Sequence, residues 1–81
     1  MEKYRVWSVI NPPNEPQYTP VDSPEQGAEY IKFEAHRQLQ IPYIYSNAFG
    51  LEVAENGIEF TEWYNDDGED VTEAFDIDGL E

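Results

Sequence analysis

The sequence predicts an α+β fold: an antiparallel sheet of three to four strands, in the order β-β-α-β-β, with one helix packed across one face. Three observations carry that expectation. Phe49 to Tyr64, FGLEVAENGIEFTEWY, alternates apolar and polar residues on both sides of Asn56-Gly57, as a β-hairpin does. Tyr4 to Ile10, YRVWSVI, is rich in β-formers and free of Gly and Pro. Asp22-Ser23-Pro24-Glu25-Gln26 reads as a helix start, and small and apolar residues follow it at helical spacing. The 81 residues are expected to form a single domain, 1–81, with residues 78–81 frayed. A chain of this length buries only ~60–65% of its unfolded surface, so its core is small.

The first strand is apolar on both faces, with Tyr4, Val6 and Ile10 on one and Trp7 and Val9 on the other. That suits a central position. Asn11 to Pro16, NPPNEP, must be a loop, because prolines cannot donate to a ladder. Gln17 to Val21 reads as a short extended segment that Pro20 confines to an edge, antiparallel to the first strand.

The helix should have Ser23 as N-cap, Pro24 at N1 and Gln26 at N3 closing a capping box, and should run to about Gln40, since Pro42 pushes Ile41 out of the α region. Ala28, Ile31, Ala35 and Leu39 share its core stripe. In the return loop, Tyr43, Ile44 and Tyr45 are expected to cover one end of the core.

A two-residue type I′ turn at Asn56-Gly57 would pair Glu55 with Ile58, Val53 with Phe60, Leu51 with Glu62 and Phe49 with Tyr64. Phe49, Leu51, Val53, Ile58, Phe60 and Tyr64 would then face the core, and Glu52, Ala54, Glu59, Thr61 and Trp63 would face outward. Asn65 to Asp70 is a turn, and Val71 to Ile77 is one helical turn or a short strand anchored by Val71, Phe75 and Ile77.

Charge sets the functional classes. The chain has 18 acids and 4 bases, a net charge of −14, and all four bases (Lys3, Arg5, Lys32 and Arg37) precede Gln38. Such a surface repels anions over roughly a Debye length, ~8 Å at physiological salt. Direct binding to nucleic acid or anionic lipid is therefore not expected, and partners should be cationic. No apolar run approaches the ~18 residues of a membrane span. The N-terminus has no signal-peptide pattern, and the chain has no cysteine, so a cytoplasmic location is expected.

Two surfaces are candidate sites. The acidic face of the hairpin and the following turn carry Glu52, Glu59, Asp66, Asp67, Glu69 and Asp70. Alternate strand residues lie ~6.6 Å apart, comparable to neighbouring phosphates along a nucleic-acid strand, so carboxylates at that pitch suit a Lys/Arg cleft. The bland alternative is a solvated, solubilising face. The second surface is the outward row of the helix, Gln26, Tyr30, Phe33 and Arg37, whose composition suits a partner or dimer contact. The alternative there is that the proline loop or the C-terminal tail folds over it.

Other chemistry finds little support. Asp66-Asp67-Gly68-Glu69-Asp70 fails as an EF-hand: with Gly68 as the loop glycine, the first and last ligand positions fall on Trp63 and Ala74. Neither a metal site nor a cofactor is expected. His36 is the only histidine, no phosphate loop is present, and no hydrolytic triad suggests itself, so catalysis is not expected. Glu62, set on the apolar side of the hairpin, would need Lys32 or His36 as a partner, or a β-bulge that turns it to solvent.

YRVWSVINPPNEPQYTPVDSPEQG, together with SNAFGLEV and TEWYNDDGEDV, resembles small acidic open reading frames of tailed phages and prophages. The resemblance covers most of the chain and brings no functional residue with it. It implies a host-takeover or counter-defence setting in the bacterial cytoplasm. The expected function is a non-enzymatic inhibitor that blocks a basic, nucleic-acid-binding site on a host protein. The alternative is a homodimeric structural or assembly module whose acidity serves only solubility.

Overall fold

The computed structural model describes residues 2–11, 13–38, 40–44 and 47–77. The elements are β1 (Lys3–Ile10), β2 (Gln17–Val21), α1 (Pro24–Gln38), β3 (Asn47–Ala54), β4 (Thr61–Glu62) and α2 (Val71–Ala74). The four strands form one antiparallel sheet in the order β2-β1-β3-β4, and α1 packs across one face of it. This is the expected α+β fold, with the strand rich in β-formers in a central position and the proline-bearing strand at an edge. Expectations for Leu39, Tyr45 and residues 78–81 lie outside the described residues.

The helix begins as its sequence requires. The Gln26 N–H donates to Ser23 Oγ at 3.1 Å, and the Gln26 side chain reaches back to the Asp22 N–H. That return bond lands one residue before the N-cap rather than on it. Ala28, Ile31 and Ala35 are buried, as their shared stripe predicts. Helix and sheet approach closely at Gly27, where a Cβ would fall 2.8 Å from Leu51 Cδ1. The core joins these residues to Val6, Phe49, Leu51, Val71 and Ile77.

Val71 opens α2, a single helical turn, and Ile77 follows it. Asp70 caps it, accepting from the Glu73 N–H at 3.0 Å, while Glu73 Oε1 accepts from the Asp70 N–H. Val71 and Ile77 are then buried, and Phe75 packs against the core. In the return loop Ile44 is buried, but Tyr43 is largely exposed, and its carbonyl accepts from Asn11 Nδ2.

The hairpin departs from expectation by one residue of register. Glu52 pairs with Glu62 and Val53 with Thr61, and the Trp63 N–H donates to Leu51 O at 2.9 Å. Gly57 has a positive φ of 78° but Asn56 does not, so the turn is not type I′, which requires both. Instead the Gly57 N–H closes a turn on Ala54 O, and Asn56 Oδ1 accepts from the Ile58 and Glu59 N–H groups. These bonds widen the connection.

A one-residue shift moves every side chain of the second strand to the opposite face. Trp63 goes inward, packs on the core and stacks on Phe75 with ring centroids 6.3 Å apart. Phe60 and Glu62 go outward, Tyr64 is exposed rather than in the core, and Ile58 stands 79% exposed in the loop. The physical reason is the pair Glu62 and Trp63. The predicted register would bury a carboxylate and expose an indole, whereas the observed one buries the indole's apolar area and leaves the carboxylate partly solvated.

Candidate functional site

The helix covers one face of the sheet. The other face is built by alternate residues: Tyr18 and Pro20 from β2, Arg5 and Trp7 from β1, Gly50 and Glu52 from β3, and Glu62 from β4, with Phe60 alongside on Arg5. No described element packs over it.

Register fixes a row across this face, in which Pro20, Arg5, Glu52 and Glu62 lie side by side. Arg5 Nε lies 2.7 Å from Glu52 Oε1. Its guanidinium carbon is 3.9 Å from the Tyr18 ring centroid and 4.0 Å from that of Phe60, a double cation–π contact. A groove of ≈ 710 Å³ opens beside it, bordered by Arg5, Tyr18, Pro20 and Phe60.

Glu62 completes the row. Its Oε1 accepts from Trp7 Nε1 at 3.0 Å. Burial pushes its carboxyl above the ordinary glutamate range, the indole bond pulls it back, and Asp70 and Glu52 push it further up. Neither Lys32 nor His36 serves it, since both stand exposed on the helix, which covers the opposite face. The indole reaches Glu62 by crossing Gly50: a Cβ at that position would fall 2.3 Å from Trp7 Cε2 and Nε1.

The acids singled out from the sequence sort into distinct environments. Glu52 is half-buried and neutralised by Arg5. Glu59 is exposed and borders a shallow cleft of ≈ 310 Å³ with Glu55, Asn56 and Thr61. Asp66 and Asp67 are exposed at a loop tip. Glu69 accepts from Asn65 Nδ2 at 3.0 Å, while Asn65 Oδ1 takes the Asp67 and Glu69 N–H groups. Asp70 is the cap of α2. Glu69 and Asp70 therefore shape the loop, leaving Glu59, Asp66 and Asp67 as the solvent-facing members.

The helix row is also divided. Phe33 is 67% exposed. Arg37 is exposed and tied to Glu34 by bonds of 2.7 and 3.1 Å, which hold the Glu34 carboxyl below its usual range. Gln26 is exposed, with its side chain engaged at the helix start. Tyr30 leans against the core, and its hydroxyl accepts from Thr19 Oγ1 at 3.2 Å.

Arg5, Trp7, Tyr18, Gly50, Phe60 and Glu62 were not recognised from the sequence as one surface. Two signals pointed to it. One is a central strand apolar on both sides in a chain with one long helix; the other is Gly50 inside a strand, which marks the close approach of another group.

Among the described residues, no three His, Asp or Glu side chains converge so as to hold a metal ion, and no helix is long and apolar enough to cross a membrane. Comparison of the chain with known protein families, curated proteins and solved structures finds no match.

Proposed function

We propose that the protein is a small, acidic, non-enzymatic binding module that attaches to a basic surface of a partner protein. The observation that carries this reading is the surplus of uncompensated carboxylates on a folded surface. Among the described residues Arg5 and Arg37 form ion pairs, each with a carboxylate of the same chain, so half of the chain's bases are already neutralised from within. Glu55, Glu59, Asp66 and Asp67 stay exposed around an ordered sheet. A field of one sign accelerates encounter with a partner of the other sign and rejects nucleic acid and anionic membranes.

The resemblance to small acidic phage proteins supports a host protein as the partner, met in the bacterial cytoplasm, with its nucleic-acid-binding site blocked. The test is capture from bacterial lysate with elution by salt, followed by the association rate with the purified partner at low and high ionic strength. A fall of roughly tenfold or more with salt is the expected result. A rate and affinity indifferent to salt would overturn the reading.

One observation favours a second reading, a homodimeric assembly module: the largely exposed ring of Phe33 on α1. Light scattering decides it. A dimer that Phe33→Glu converts to a monomer would establish the helix face as the contact.

A further inference from the structure

The row Pro20, Arg5, Glu52 and Glu62 holds one cation and two carboxylates. The chain itself shows how this face treats a guanidinium. Arg5 is clasped between the rings of Tyr18 and Phe60 and tied at 2.7 Å to Glu52. Glu62 likewise has an aromatic neighbour, but no paired cation among the described residues. Trp7 touches it, with its indole N–H at 3.0 Å. Tyr64, two residues beyond the end of β4, is 59% exposed. No described Lys, Arg or His pairs with Glu62. A half-buried carboxylate bonded by an indole N–H, with an exposed phenol two residues further along the chain, is complementary to a flat cation.

We propose that Trp7, Glu62 and Tyr64 form a docking point for an arginine side chain of the basic partner, repeating between molecules the clasp that the chain makes around its own Arg5. The proposal rests on the functional reading above and adds the chemistry of one contact. Arginine is specified over lysine, because a planar guanidinium stacks on a ring while bonding a carboxylate in its own plane, and a compact ammonium does not. The outlying acids draw the partner in, and this point on the sheet fixes where it sits.

The test is a titration of the full ¹⁵N-labelled chain with hexa-arginine and with hexa-lysine peptides, observing both tryptophan indole resonances and the backbone amides. The Trp7 indole should move, and the Trp63 indole, on the core side, should stay. Hexa-arginine should bind roughly threefold to tenfold tighter than hexa-lysine, and Glu62→Gln, which keeps an acceptor for the indole, should remove that preference. Tyr64→Ala, which leaves the carboxylate in place, should weaken hexa-arginine alone. Shifts confined to the amides around Glu59, Asp66 and Asp67, with Trp7 unmoved, would overturn this docking point and leave the acidic binding module standing. Equal binding by the wild type and Glu62→Gln would also overturn it. No response to either peptide would overturn both.

Discussion

The indole of Trp7 occupies the space that a side chain at residue 50 would need. A methyl group on Gly50 would lie 2.3 Å from Trp7 Nε1, the atom that donates to Glu62. Strand β3 thus carries a gap through which a ring on β1 reaches a carboxylate on β4. Gly50→Ala should push the indole aside and break its bond to Glu62. The expected cost is about 1–3 kcal/mol, from overpacking and the lost bond. Urea unfolding followed by circular dichroism checks the cost, and a shift in tryptophan emission checks the displacement.

The raised carboxyl of Glu62 makes a prediction about pH. Burial is the main cause of the rise, and Asp70 and Glu52 add to it against the pull of Trp7. The folded chain therefore holds this proton more tightly than the unfolded chain. The resulting stability is full below the ordinary glutamate pKa, ~4.3, and is lost as pH rises through the raised folded value. Glu62→Gln removes the charge, so its stability relative to the wild type should be greater at about pH 7.5 than at about pH 4. A difference in urea midpoint that does not change with pH would contradict this.

The cap of α2 has a separable effect. Asp70 accepts from the Glu73 N–H and from Thr72 Oγ1, and it starts the turn that brings Val71 into the core. Asp70→Ala should cost about 1 kcal/mol, and Asp70→Asn less. If chemical denaturation shows no loss for Asp70→Ala, the capping box contributes nothing to stability.

Leu51 is fully buried beneath α1, beside Gly27. Leu51→Ala should cost about 2–5 kcal/mol, a large share of the stability of a domain this size. Gly27→Ala sets two effects against each other. It gains up to ~1 kcal/mol of helix propensity but forces a Cβ to 2.8 Å from Leu51 Cδ1. The clash is with a buried leucine that has little room to retreat, so a net loss is expected in thermal melts.

Much of the fold was legible because local chemistry and tertiary packing agree. Ser23 and Pro24 start the helix, Pro20 marks an edge, and Ala28, Ile31 and Ala35 share one stripe that is buried. The hairpin was legible as a hairpin but not in its register. Apolar-polar alternation around Asn56-Gly57 favoured Ile58, Phe60 and Tyr64 as the inward set. What decides the register is a comparison of whole side chains, Trp63 against Glu62, together with the N–H groups that Asn56 captures. No periodicity count includes either. The helix-free face was hidden for the same reason. Its strand residues are spread over all four strands, and the register that alternation alone predicts turns Glu62 inward.

The placement of Glu62 beside Trp7 on the open face of the sheet, away from the helix, is what the account depends on most. The direct measurement is the Trp7 indole N–H chemical shift followed by NMR as the free protein is titrated from about pH 3 to about pH 8. A single step is expected with its midpoint above the ordinary glutamate range, absent in Glu62→Gln, while the Trp63 indole stays level through that step. A flat Trp7 resonance, or a step that survives in Glu62→Gln, would contradict the account.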